Sequence, residues 1–459
     1  MAKEKNVSNA ILKNIILIFT VAVLMVTCIN LKPLHVNAAS KPVSKVYCCL
    51  YKSGKLVISQ KKIKPQKGKK VLENKKLAKP SQLKNRNKIK TVVFKGKVRP
   101  KSCQQWFEDC KNITKISNIK NLDTSQCTNT ANMFWGCRKL KSLDVSRFNT
   151  AKVTDMSAMF YRCKSLKKLD VSKFKTSKVK FMGAMFGDCI SLEKLNLKNF
   201  KTGAVIETAY MFENCYKLKS LDVSKFNTKN VEYMDAMFHN CKSLTNLKIK
   251  GFKTSKAISM YAMFEGCKSL KELDLSSFNT AKTTTMVRMF RNCVSLQKLN
   301  ISKFNTSKVR GMGAMFEGCK ALKSLNLSSF NTSKVESMES MFSECRSLEN
   351  LNLNGFNTTK VTNMGEMFLW CKSLKNLDLS SFNTSKVNNM LEMFALCKGL
   401  EKLDISDFTI KNNCNLQWMF DEFSANGVVR INQKAKKAIE NNGGSDSSYV
   451  KHWEIVDEK

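Results

Sequence analysis

Apolar and polar positions recur along most of this chain with a period of 26 residues. The dipeptide Met-Phe begins at Met133, Met159, Met185, Met211, Met237, Met263, Met289, Met315, Met341, Met367, Met393 and Met419, without an insertion. Cysteine follows in phase from Cys137 to Cys397. In the unit Leu322 to Ser347, Leu322, Leu325 and Leu327 follow L-x-x-L-x-L, with Leu325 and Leu327 on one side and Ser324, Asn326 and Ser328 on the other. That alternation predicts a strand. Phe330 and Asn331-Thr332 then read as a turn. Val335, Met338, Met341, Phe342 and Cys345 recur at spacings of one, three and four, which predicts one face of a short helix. Ser333 and Glu336 offer that helix a capping box in this unit. Lys180 and Arg310 hold the acid's place in other units, so the box is not general.

One such unit cannot bury its own apolar face, but stacking buries it against the next. At about 1.5–3 kcal/mol per large side chain buried, these interfaces can support a long array. The expected fold is therefore an α/β repeat, a leucine-rich-repeat solenoid of about 12 coils, each a strand, a turn and a short helix. Its ends are imperfect copies. Trp106-Phe107 and Cys110 repeat the motif one residue out of phase, and Phe423 stands where a last cysteine would fall. Ahead of the array, Val46 to Ser59 predicts a hairpin turning at Ser53-Gly54, and Lys90 to Val98 a further strand. Behind it, Val428 to Ile431 reads as a strand, Gln433 to Asn441 as a helix and Trp453 to Val456 as a last strand. The organisation expected is an export segment over 1–38, a basic N-terminal cap region with the hairpin over 39–101, the solenoid over 102–423 and an α/β cap over 424–459.

The unit L-x-x-L-D-L-S-x-F-N-T-x-x-V-x-x-M-x-x-M-F-x-x-C-x-S-L resembles the bacterial surface protein 26-residue repeat, found in the BspA-like leucine-rich-repeat surface proteins. The resemblance runs from about Cys103 to Phe423 and rests on period, Met-Phe and Cys kept together. It implies a surface-exposed or secreted protein, some relatives acting in adhesion to host or partner molecules. The final residues carry no LPxTG sorting motif and no hydrophobic tail, so covalent wall anchoring is not expected.

The first 38 residues read as a cleaved signal. Lys3, Lys5 and Lys13 precede a short apolar run, Ile15 to Thr27, and small residues reach Ala38. That run is shorter than the roughly 20 residues of a spanning helix, and the mature chain is not expected to cross a membrane. The expected location is secreted or cell-surface. Charge sharpens the picture. The chain carries a formal +43, and residues 39–101 hold 21 Lys or Arg against one acid, Glu73. Lys61, Lys62, Lys67, Lys69 and Lys70 are candidate contacts for an anionic polymer such as teichoic acid or a sulfated glycan. Lys152, Lys178, Lys256, Lys282, Lys308, Lys334, Lys360 and Lys386 share one phase of the array, serving either a polyanion or a plain solvated edge. Specific nucleic-acid recognition is not expected, because no basic-aromatic recognition motif is present.

Candidate chemistry is sparse. A cysteine ladder suggests metal or disulfides, but one cysteine per coil on the apolar face reads as a small buried hydrophobe. A local Cys103–Cys110 disulfide remains open. The methionine stripe reads as core. Histidine is limited to His35, His239 and His452, too scattered for a catalytic triad. Asp144, Asp170, Asp222, Asp274, Asp378 and Asp404 repeat at one strand position and form a candidate ligand surface. The alternative is a solvated strand face stabilised by Asp and Asn hydrogen bonding. No catalytic, cofactor or metal residues are expected. The expected function is adhesion, or binding of a host or bacterial surface protein or glycan. A structural envelope protein held electrostatically on anionic wall polymers is the alternative.

Overall fold

The 26-residue unit closes one turn of a solenoid of about 14 stacked coils, mostly strand with little helix. The computed structural model describes residues 45–442 and 449–456. The expected signal, 1–38, lies outside them.

A five-stranded sheet starts the described chain, in the order β3-β1-β2-β4-β5. β1 (Val46–Tyr51) and β2 (Lys55–Ser59) form an antiparallel hairpin, and β3 (Val71–Leu77) flanks β1. β4 (Thr91–Phe94) pairs parallel with β2, and β5 (Lys115–Ser117) parallel with β4. This switch from antiparallel to parallel pairing is where the cap becomes the solenoid.

Among the described residues, eight later coils each contribute a short parallel strand, and the coils at Ser324 and Asn350 pair through single bridges. The strands are β6 (Lys168–Asp170), β7 (Lys194–Asn196), β8 (Ser220–Asp222), β9 (Asn246–Lys248), β10 (Glu272–Asp274), β11 (Lys298–Asn300), β12 (Asn376–Asp378) and β13 (Lys402–Asp404). Pairing is in register, as Leu169 with Leu195 and Leu377 with Leu403. A second parallel ladder runs through single bridges from Asn129 and Asp155 to Asn389 and Asn415. The array closes on β14 (Val428–Asn432), α1 (Gln433–Asn442) and β15 (His452–Val456), which extend the β12-β13 sheet.

One continuous core runs from Val46 to Val450. Each phenylalanine of Met-Phe stacks on its equivalent in the next coil, with centroids 5.7 Å apart for Phe134–Phe160 and 5.8 Å for Phe264–Phe290. A second aromatic column follows the strands, at 6.4 Å for Phe148–Phe174 and 6.5 Å for Phe356–Phe382. The ladder cysteines and the paired methionines are buried between them. Each aromatic pair adds about 0.5–1.5 kcal/mol beyond area burial.

The helix expected in each coil is not formed. Ser340 and Glu344 have φ of 53° and 56°, in the left-handed region where a right-handed helix cannot continue. The amides of Ser340, Phe342 and Glu344 donate to the carbonyls of Gly365, Met367 and Leu369 in the next coil. Those of Met341 and Cys345 close local turns on the carbonyls of Met338 and Phe342. Alternating tight turns with inter-coil bonds brings Met338, Met341, Phe342 and Cys345 inward at the same three-and-four spacing a helix would give. The capping box is absent as well. Ser333 N–H donates to Asn331 Oδ1 at 3.0 Å, and Glu336 pairs with Arg310 at 3.2 Å. Among the described residues the α-helix is α1, in the C-terminal cap.

Cys103 does not face Cys110. Its Sγ lies 3.0 Å from that of Cys127. Cys127 is 24 residues further on, which places it beside Cys103 in the neighbouring coil, whereas Cys110 takes the ladder position ahead of Cys137.

Candidate ligand-binding surface

On the exposed face of the strands, residues alternate out, in, out, as the burial of β6, β8 and β10 shows. The candidate aspartates lie here. Asp144, Asp170, Asp222, Asp274 and Asp378 are exposed, and Asp404 is half-buried. Each uses Oδ1 to accept the N–H of the serine two residues on: Ser146 at 2.9 Å, Ser172 at 2.9 Å, Ser224 at 3.0 Å, Ser276 at 3.0 Å, Ser380 at 2.9 Å and Ser406 at 3.0 Å. These bonds turn the chain off the strand. Asn196, Asn300, Asn326 and Asn352 hold the same position and accept the same bond. The turn thus accepts Asn in place of Asp, and in one coil Lys248, which offers no acceptor, holds the position. Bonding to Ser146 holds the Asp144 carboxyl below the ordinary aspartate range, and bonding to Ser172 does so for Asp170.

Two open depressions lie on this face. One, of about 600 Å³, is lined by Glu193, Lys194, Leu195, Lys217, Lys219, Ser220 and Ser243. The other, of about 260 Å³, is lined by Lys168, Asp170, Lys194, Asn196 and the leucines between them. Further along the array, some strand-face lysines are matched by acids one coil away, Lys298 with Glu272 at 2.8 Å, Lys323 with Glu349 at 3.6 Å and Lys375 with Glu401 at 2.7 Å, while Lys271 and Lys402 make no ion pair among the described residues. Over β6 to β8, by contrast, Lys168, Lys194, Lys217 and Lys219 make no ion pair among the described residues. Lys194, Lys217 and Lys219 were not singled out from sequence, because whether a lysine is compensated depends on which residue the next coil sets beside it.

The five N-terminal candidates lie on the connection between β2 and β3. Lys61, Lys62, Lys67, Lys69 and Lys70 are all exposed. None makes an ion pair among the described residues. The loop is anchored by Ile63, which packs with Cys49, Tyr51 and Val57. Gln66 N–H donates to Tyr51 Oη at 3.2 Å, and Asn74 Nδ2 to the Ile63 carbonyl at 3.2 Å. The aspartate candidates of the array and these lysines therefore belong to separate surfaces. The in-phase array lysines, from Lys152 to Lys386, are exposed along the turn edge.

Interior polar groups serve the stack. Threonines of the Asn-Thr turns are buried; each hydroxyl donates to a carbonyl of the next coil, and in most coils it also accepts an amide there. Thr306 Oγ1 donates to the Asn331 carbonyl at 2.8 Å and accepts Asn331 N–H at 2.7 Å. Each ladder thiol donates to a phenylalanine carbonyl, as Cys163 to Phe134 at 3.3 Å and Cys397 to Phe368 at 3.1 Å. Burial pushes the thiols of Cys189, Cys241 and Cys293 up to about 12. Such protonated thiols are poor metal ligands. Among the described residues no three His, Cys, Asp or Glu side chains gather to hold a metal ion. His239 sets Nδ1 3.3 Å from Glu213 Oε1. No helix among the described residues is long and apolar enough to cross a membrane.

A family model described as "Mycoplasma protein of unknown function, DUF285" matches residues 101–221, 192–273, 210–327, 263–369 and 347–435, an unbroken run over the array. The chain belongs to that family. Among solved structures, this DUF285 chain is similar to a leucine-rich repeat protein from Eubacterium ventriosum, at 16% identity over 62% of this chain and 90% of that one, with a TM-score of 0.29. It is also similar to the pneumococcal vaccine antigen PcpA, at 12% identity over 81% of this chain and 80% of that one, with a TM-score of 0.32. No curated protein matches this DUF285 chain.

Proposed function

We propose that this chain is a secreted or cell-surface binding protein, without catalytic activity, that holds an anionic surface glycan or protein against the strand face. The observation that carries the reading is the uncompensated cluster of Lys168, Lys194, Lys217 and Lys219 around the open depressions over β6, β7 and β8. Ser220, Ser243, Asn196 and Asp170 beside them supply neutral and acidic hydrogen-bonding partners. An extended anion laid across successive coils relieves lysine repulsion and releases counterions. The repeating outward residues, Asp144 to Asp404 among them, extend the face along the array. The resemblance of the repeat to BspA-like surface proteins, and the signal-like residues 1–38, support placement outside the cell.

The test is a panel of sulfated, phosphorylated and neutral glycans together with surface extracts, applied to the full chain at rising salt. Replacing Lys168, Lys194, Lys217 and Lys219 with Gln is expected to weaken anionic capture at least tenfold, about 1.4 kcal/mol, and to flatten its salt dependence, with the melting curve unchanged. Equal capture by the quadruple variant would overturn the assignment.

A second reading rests on the exposed loop of Lys61, Lys62, Lys67, Lys69 and Lys70. It makes the basic region an electrostatic tether to anionic wall polymers, with the array as spacer. Charge reversal at these five residues would then release the protein from cells at low salt. Retention by the reversed variant excludes the tether.

A further inference from the structure

Cys103 and Cys127 stand apart from the cysteine ladder. Their sulfur atoms lie 3.0 Å apart and both side chains are fully buried. Ladder thiols are placed differently, each directed at a phenylalanine carbonyl, as Cys215 at Phe186 and Cys319 at Phe290. The sulfur contact of Cys103 is Cys127 itself, and Cys127 also lies 3.4 Å from the Pro100 carbonyl. A disulfide holds its sulfurs at about 2.0 Å, so a displacement of about 1 Å separates this pair from bonding.

The two residues bridge adjacent coils at the start of the array. Cys103 N–H donates to the Asn129 carbonyl at 3.0 Å, and Thr128 N–H to the Lys101 carbonyl at 3.1 Å. Backbone pairing on both sides therefore fixes the cysteines opposite each other. In a solenoid each coil is held only by its nearest neighbours, so the junction of the array with its cap depends on few interfaces. A covalent link here holds the first coils together where the basic cap joins them.

We propose that Cys103 and Cys127 become a disulfide as the chain folds in the presence of a disulfide oxidant, of the glutathione or protein dithiol–disulfide class. In the first step the Cys103 thiolate attacks one sulfur of the oxidant, forming a mixed disulfide and releasing one oxidant thiolate. The Cys127 thiolate then attacks the Cys103 sulfur of the mixed disulfide and releases the second. Two protein thiols are oxidised, one oxidant disulfide is reduced to two thiols, and the two protons pass to them. Exchange requires a thiolate, and burial raises the Cys103 thiol well above its ordinary value. The bond therefore forms while the first coils are closing, after backbone pairing has brought the two sulfurs together and before they are fully buried, and the folded reduced pair oxidises slowly.

The experiment refolds the full chain from the reduced, denatured state with oxidised and reduced glutathione, blocks remaining thiols with iodoacetamide, and maps peptides without reduction. The expected product joins the Cys103 and Cys127 peptides, lighter by two hydrogens than the free pair. Its melting temperature falls when dithiothreitol is added. C103S and C127S are expected to lose the link and the dithiothreitol effect, while C110S keeps both. Adding the oxidant only after folding gives a far slower yield of the same link. Recovery of both peptides fully alkylated after oxidative refolding, or of Cys103 joined to Cys110, would overturn the proposal. Because this readout is made on the wild-type chain, it stands even where a serine variant fails to fold.

Discussion

Replacing Thr306 with valine tests whether the buried hydroxyls hold the coils in register. Valine keeps the shape of the side chain and removes one oxygen. That oxygen makes two bonds to Asn331 in the next coil, one donated at 2.8 Å and one accepted at 2.7 Å, and Thr306 is fully buried. A net hydrogen bond contributes about 1 kcal/mol, and a polar group left buried without a partner costs about 1–3 kcal/mol. Thr306→Val is therefore expected to cost about 2–4 kcal/mol. Thr306→Ser keeps the oxygen and loses a methyl group, so its cost should stay near about 1 kcal/mol. Urea unfolding followed by circular dichroism gives the comparison, with transition midpoints compared because a long array need not unfold in two states. Hydrogen exchange supplies a local reading: the Asn331 amide should exchange faster in the valine variant and stay protected in the serine one. Equal midpoints for wild type and Thr306→Val, with Asn331 still protected, would refute the argument.

Other expectations follow from the same ladders. Gly266 has φ of 71° and its missing Cβ would meet Asn240 Oδ1. Gly266→Ala should cost about 1–2 kcal/mol, and Gly266→Asn less, since asparagine tolerates that conformation; equal losses in denaturant titrations would argue against a backbone cause. Burial, together with Asp155 and Asp235 nearby, raises the Glu207 carboxyl above its ordinary value. The folded state then binds the proton more tightly than the unfolded one, so this group's contribution to stability falls as pH rises through the raised value. Glu207→Gln should accordingly stabilise the chain at neutral pH, with a gain that vanishes below the ordinary glutamate range when melting is measured against pH. Native, reduced protein should react with an aromatic disulfide reagent only slowly, because all the described cysteines are buried, and should react fully in denaturant; rapid native titration would contradict the buried ladder.

The repeat and its inward columns were legible because a strict period superimposes every coil on the next. Leu325 and Cys345 recur in phase eleven times and Phe342 twelve. The hairpin at Ser53-Gly54 was legible from its turn residues, and the closing strand, helix and strand from their own local patterns. The helix failed for a physical reason. Three-and-four spacing describes any chain that returns inward after a tight turn, and nothing in the apolar pattern separates the two. A discriminating signal was present in the polar residues. In seven of the eleven coils the position before the ladder cysteine holds Gly136, Asp188, Asn214, Asn240, Gly266, Asn292 or Gly318, types that favour positive φ. Such residues recurring at one phase oppose a helix there. The threonine column was hidden because Asn-Thr suffices to explain a turn, and its burial depends on a neighbouring coil. Cys127 stands out in sequence as lying off the ladder, but its place beside Cys103 was hidden because the two meet across coils. The aspartate column was visible as a column, but its turn bonds and the interchange with asparagine emerge only from the backbone path.

In-register stacking also bears on how such a molecule can change length. Each coil bonds to its two neighbours through the same backbone atoms, and its threonine, cysteine and phenylalanine meet identical partners on either side. Excising one full period would rejoin Phe, Thr and Cys to equivalents of themselves, leaving a shorter array with its caps intact. Losing a single residue would instead misalign every column at once. Growth and shrinkage by whole units is thus open to this protein, and the outward side chains of any added turn are free to differ.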